Sequence, residues 1–258
     1  MKYKLYPCKN PNAETIILSS GLGGHAQFWN PQIDSLIQYF HVFVYDHIGI
    51  TNDSSNLPQG YSVNNMAQEL NEMLVRDKIK VDYFIGHALG AFIGVELALQ
   101  TTKLKKLILI NPWAKLDPHT QRCFNTRLKI LDHVGVDAYI QAQALFLYPP
   151  EWISMHDHQL QQQEIKMIQH SCSKHNIKMR LNALRNYIPK DRVQLLDIPC
   201  YILSNRDDFL VPWQQGLKLS KFIQNSFFKL LETGGHASTV TQPIELNTEI
   251  LNILTSEQ

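Results

Sequence analysis

The sequence predicts an α/β protein, a mostly parallel, doubly wound sheet carrying a helical insertion. Two observations carry that expectation. Short, almost continuously apolar runs alternate with amphipathic stretches, as strands covered by helices on both faces do. The alternation stops after Trp113 and resumes at Ile198, with only helical spacing in between.

Taken in order, the strand candidates are "ETIILSSG", "FHVFVYDH", "VDYFIGH", "LKKLILINPW", "IPCYILSNRDD" and "SFFKLLETGGH". Each is brief and ends in or near Gly, Asn, Asp or His. Helices are expected over "YSVNNMAQELNEMLVRDK", with Ser62 as N-cap, and over "ALGAFIGVELALQT". The closing "QPIELNTEILNILTSEQ" puts Pro243 in a first helical turn. The helical stretches after Trp113 are "TQRCFNTRLKILDHVG", "VDAYIQAQALFLY", "LQQQEIKMIQHSCSKH" and "IKMRLNALRNYI". The boundaries that follow are a core of residues 1–113 and 197–258 and a cap of residues 114–196. Gln159 to Gln163 read as one exposed helix face.

Composition narrows the function classes. The 258 residues carry a formal charge of +1, with 18% charged and 44% hydrophobic residues, which points away from a nucleic-acid binder, an acidic tail or a disordered chain. Runs such as "LILI" are too short to cross a membrane, and "MKYKLYPCKNPN" turns polar too soon for a secretory signal. Cys8, Cys123, Cys172 and Cys200 form no CxxC pair, so reduced, buried thiols and a cytoplasmic chain without a metal are expected. The expected partner is a small-molecule substrate, with neither nucleic acid nor membrane, and a homodimer stays open.

The chemistry centres on "FIGHALGA", Phe84 to Ala91. Gly-x-Ser-x-Gly between a strand and a helix is the nucleophile elbow of serine hydrolases. Gly86 and Gly90 are in place, but Ala88 occupies the nucleophile position and has no atom that attacks. Downstream, "SNRDDFLVP" supplies Asp208, with Asp207 as competitor, and "ETGGHAST" supplies His236. Elbow, acid and histidine at successive strand ends follow the α/β-hydrolase order. The Leu89 amide opens a helix, where anions are favoured, and "SSGLGGH" offers the Leu22 amide as the second oxyanion donor. Ser20 and Ser238 lie near in sequence, but neither is on the strained turn. His87 is read as filling the variable position of the elbow.

At this point the residues resemble the RutD family, carbamate or aminoacrylate hydrolases of the Rut pyrimidine-degradation pathway. The resemblance runs through "SGLGG", "VYDHIG", "GHALGA", "HTQRCF", "AQALFLYPPEW", "LNAL", "DDFLVP" and "GGHA". It implies that alanine at the elbow is a feature of the family. Ile48 departs from it, standing where Arg is usual after the "VYD" strand.

The implied substrates suit a site without serine. A carbamate ion decays by protonation at nitrogen and loss of carbon dioxide, and aminoacrylate tautomerises to an imine that takes up water. Both need proton transfer, which His236 held by Asp208 can supply at ~10²–10⁴-fold. The Leu22 and Leu89 amides are expected to hold the substrate carboxylate, and no cofactor is required. Ser20, His25, Trp113, Arg122, Arg127, Phe146 and Tyr148 are the candidates for closing the pocket, an Arg suiting a small carboxylate. Two rivals stay open: an inactive binding protein on this fold, and a cofactor-free lyase or oxygenase.

Overall fold

Seven strands form one sheet in the computed structural model, which describes residues 1–101 and 104–256. They are β1 (Tyr3–Tyr6), β2 (Thr15–Ser19), β3 (His41–Tyr45), β4 (Tyr83–His87), β5 (Lys106–Ile110), β6 (Cys200–Asn205) and β7 (Ser226–Leu231). Their spatial order is β1-β3-β2-β4-β5-β6-β7, parallel throughout except at β1. All six apolar runs are strands. β1 is the addition, and its physical reason is plain: three of its four residues are exposed, so no apolar run marks it. Its place is set by antiparallel pairing to β3, with Leu5 opposite Phe43.

The near-continuous apolar strands feed two cores. In β3, Phe43 and Tyr45 join one core while Val42 and Val44 join the other. In β2, Ile17 points to the first and Ile16 and Leu18 to the second, the period of two that a pleated strand imposes. Helix Val63–Arg76 covers the first core with Met66, Leu70, Met73 and Leu74. Its start is fixed by Ser62, whose Oγ accepts the Asn65 amide at 3.2 Å. Helix Pro243–Thr255, opened by Pro243, covers the second with Leu246, Ile250, Ile253 and Leu254.

Between β5 and β6 run six helices: Pro118–His133, Val136–Gln141, Gln143–Leu147, Pro150–His170, Lys174–Asn186 and Pro189–Val193. Buried polar contacts fasten them to the sheet layer. Asn176 accepts the Leu57 amide at 2.8 Å and donates to the Gly49 and Ser55 carbonyls at 3.2 and 2.9 Å. Arg192 grips Glu96 of the elbow helix through two hydrogen bonds of 2.8 and 3.0 Å, and the Tyr187 hydroxyl adds a third. Gln159 and Gln161 to Gln163 are exposed around a buried Leu160. All four cysteines are buried and unpaired. Among the described residues no helix is long and apolar enough to cross a membrane, and no group of side chains is arranged to hold a metal.

Candidate active site

The site grows from the turn between β4 and the helix Leu89–Gln100. The chain reverses at a single residue, Ala88, with φ 49° and ψ −107°. A conformation this rare in a non-glycine residue costs about 1–3 kcal/mol and persists only where its surroundings enforce it. The surroundings here are backbone. A Cβ on Gly86 would strike the Gly90 carbonyl, and one on Gly90 would strike the Ser19 carbonyl at the end of β2. The two glycines let the elbow close, and it closes without a nucleophile.

His236 stands beside this turn on the loop after β7. Its Nδ1–H donates to Asp208 Oδ2 at 2.7 Å, and both side chains are buried. Asp208 Oδ1 accepts the Leu210 and Val211 amides, each at 2.8 Å, so the carboxylate is fixed from both sides. Asp207, the sequence competitor, serves elsewhere: it accepts the Gly234 and Gly235 amides at 3.1 and 2.9 Å and shapes the histidine loop. Nε2 of His236 has no protein hydrogen-bond partner among the described residues.

His87 is more than filler at the elbow. Its Nε2–H donates to the His236 carbonyl at 2.7 Å, with the two rings 4.7 Å apart. Burial, with the neighbouring His236 as the second cause, pushes the His87 pKa down to about 3, so the ring is neutral. The same carbonyl accepts Asn111 Nδ2 at 2.8 Å. Asn111 and Asn205 are hydrogen-bonded to each other at the ends of β5 and β6, and Asn205 continues to the Thr233 carbonyl at 2.6 Å. Sequence reasoning missed both asparagines. Their only signal was position, one polar residue ending each apolar strand.

Neither of the two expected backbone donors has an acceptor among the described residues. Leu89 is the first residue of its helix, where amides lack an intrahelical acceptor, and Ala88 offers no side chain to cap it. The Leu22 amide has no protein acceptor among the described residues. Leu22 also opens onto a cavity of ≈ 70 Å³ between its turn and the insertion, lined by His25, Arg127, Tyr139, Cys172 and Arg180 among others. Burial, reinforced by the Arg180 charge against the opposing pull of Asp46, lowers the His25 pKa.

The pocket candidates divide. Arg127 and His25 line the cavity. Phe146 lies beside Arg127, its ring centre 5.8 Å from the guanidinium carbon. Tyr148 packs on Trp152, and the adjacent Leu147 carbonyl accepts the Ala237 amide at 3.1 Å, which brings this stretch against the histidine loop. Two candidates need correction. Arg122 is exposed, because it occupies the outer side of a helix whose inner side is Cys123, Phe124 and Arg127. Trp113 is core, packed on Phe92 and Phe124 and absent from the cavity lining. Ser20 and Ser238 are buried, and neither hydroxyl has a partner among the described residues. Arg180, which the sequence reading passed over, holds the Leu22 turn and lines the cavity.

Sheet order and elbow together define an α/β-hydrolase fold. The crystal structure of the enol-lactonase from Burkholderia xenovorans LB400 superposes with a TM-score of 0.87 over 99% of this chain and 96% of that one, at 20% identity. A family model described as serine aminopeptidase, S33, matches residues 10–239, and the chain belongs to that hydrolase family. More narrowly, it is 46% identical to "Putative carbamate hydrolase RutD" of Acinetobacter baylyi over 98% of both chains. It is 40% identical to the protein of the same name from Stutzerimonas stutzeri, covering 100% of this chain and 97% of the other. Within the α/β-hydrolases, the chain belongs to the RutD family.

Proposed function

We propose that the protein hydrolyses the C–N bond of a small amino-substituted acid, a carbamate or 3-aminoacrylate, in the cytoplasm during pyrimidine breakdown. The observation that carries this reading is the buried 2.7 Å contact between His236 and Asp208 beside an elbow that holds alanine. An acid–base group is present where a nucleophile is not, so water must supply the attacking atom. The names of the full-length relatives support the carbamate half of the substrate class.

For 3-aminoacrylate, the imine tautomer is the species that reacts. His236 Nε2 takes a proton from water while the oxygen bonds to C3 and the C=N pair moves to nitrogen, and the imidazolium returns that proton to the nitrogen, giving the carbinolamine. The ring then takes the C3 hydroxyl proton and delivers it to the nitrogen as the C=O bond forms and the C–N bond breaks, and ammonia and the 3-oxo acid leave. For carbamate, the same ring delivers a proton to nitrogen, and ammonia and carbon dioxide separate. Asp208 keeps Nδ1 protonated and Nε2 free to exchange protons, and it stabilises the imidazolium. The Leu22 and Leu89 amides face an oxygen that carries negative charge.

The test is the decay of freshly generated 3-aminoacrylate and carbamate with wild-type and His236→Ala protein against a protein-free blank. The expected result is acceleration of at least one compound by wild type and a loss of about 10²–10⁴-fold in the variant. If wild type and variant both match the blank for both compounds, the reading is lost and an inactive binding protein takes its place.

A further inference from the structure

Among the described residues, two arginines of the insertion are buried without a carboxylate partner. Arg127 and Arg180 are 3% and 2% exposed, and both line the ≈ 70 Å³ cavity at Leu22. A guanidinium carries five N–H donors and a fixed positive charge. Arg127 uses one donor, Nη2 to the Tyr139 hydroxyl at 3.0 Å, and its Nε is buried with no partner. The rings of Phe124, Tyr139 and Phe146 surround its guanidinium carbon at 5.1–6.0 Å, holding the side chain but supplying no anion. Arg180 donates to neutral acceptors only: the Leu22 carbonyl at 3.0 Å, the Ile48 carbonyl at 3.3 Å and His47 Nδ1 at 2.9 Å. Glu69, which senses the Arg180 charge, is engaged with the Tyr61 hydroxyl at 2.6 Å, and Asp46 accepts the Ala26 amide at 2.8 Å.

Burying a cation without a counter-charge is expensive, and a fold that does it twice around one cavity leaves a place for an anion. The cavity, ≈ 70 Å³, has room for a small anionic group such as a carboxylate. We infer that this cavity seats the carboxylate of the substrate, with Arg127 and Arg180 as its cationic partners. This rests on the reading of the chain as a hydrolase of small acids and narrows it to substrates already anionic, excluding neutral esters, amides and carbamate esters. It also reassigns the backbone donors. With the carboxylate on the arginines, the Leu22 and Leu89 amides are left for the oxygen added at the reacting carbon. Arg180 links the two, since it holds the Leu22 turn while facing the cavity.

Calorimetric or NMR titration with propanoate and with propanamide, which has the same shape and no charge, tests the inference. Wild type is expected to bind propanoate about tenfold or more tightly than propanamide. His236→Ala should keep that preference, because the histidine is not the anion partner. Arg127→Gln, which keeps a donor for Tyr139, should cut it severalfold, Arg180 remaining. Equal binding of the two compounds by wild type, no binding of propanoate, or an undiminished preference in folded Arg127→Gln would overturn the site. The wild-type comparison needs no variant to fold. A propanoate preference without accelerated aminoacrylate or carbamate decay would remove the hydrolase reading and leave the anion site standing. Accelerated decay without the preference would do the reverse.

Discussion

The sheet side and the insertion side of the site treat their buried charges in opposite ways. On the sheet side, Asp208, His236, His87, Asn111 and Asn205 form a chain of hydrogen bonds between 2.6 and 3.1 Å that meets the Asp208 carboxylate with an imidazole and two amides, although His87 Nδ1 is buried without a partner. On the insertion side, Arg127 and Arg180 are equally buried, yet Arg127 Nε has no partner and neither guanidinium has an anion. A buried charge met by its partners fixes a geometry, whereas a buried charge without a counter-ion leaves a place for one. The contrast separates a rigid proton-handling half from a ligand-completed half.

The largest expected effect falls on the rigid half. Asp208→Asn replaces an acceptor of the Nδ1 proton with an amide that also presents donors, which favours the wrong tautomer of His236. Acceleration of substrate decay should fall about 10²–10⁴-fold, close to the effect of His236→Ala. Because the two residues act as one unit, the double variant should be no slower than His236→Ala alone. Multiplying losses would show that Asp208 does something other than orient the ring.

A smaller effect concerns stability. The folded-state pKa of His87 is about 3 against an ordinary 6.5, so the folded chain keeps the ring neutral while the unfolded chain protonates first. The stability from this group is present above pH 6.5 and is lost as pH falls towards 3. Between pH 7 and pH 5 the loss is roughly 2 kcal/mol. His47, whose pKa burial and Arg180 also depress, adds in the same direction. Urea unfolding at the two pH values should show a shallower loss for His87→Gln than for wild type, with the His47 part remaining. Equal losses would mean that the His87 donor to the His236 carbonyl is not a buried neutral ring.

The same contrast explains what could be read from the chain. The rigid half was largely legible because it sits at strand ends, where glycine and polar residues interrupt apolar runs: Asp208, His236 and the elbow all lie there. β1 was invisible because an exposed edge strand has no apolar signature and takes its place from β3. Arg180 was invisible for a related reason. Within "IKMRLNALRNYI" it has the spacing of any helical arginine, and only the packing of the insertion shows that this one is fully buried while Arg185 is half-buried. Arg127 and Arg122 share one helix and one charge, and burial alone distinguishes them.

The smallest expected change in stability belongs to Ala88→Ser, and it bears most directly on why the elbow survives. Alanine already occupies the φ of 49° that the turn demands, so serine adds no backbone strain. The added hydroxyl is expected to find the free Nε2 of His236 as its acceptor, and the stability change should stay within about 1 kcal/mol. What should change is reactivity. A serine on this turn, with an imidazole beside it and two backbone amides unengaged, has the parts of an acylating site. The variant is expected to release a stoichiometric burst of p-nitrophenolate from p-nitrophenyl acetate, with none from wild type. A folded Ala88→Ser protein without a burst would mean that the turn does not aim its Cβ at His236, and the strain at Ala88 would then need a cause other than a retained catalytic geometry.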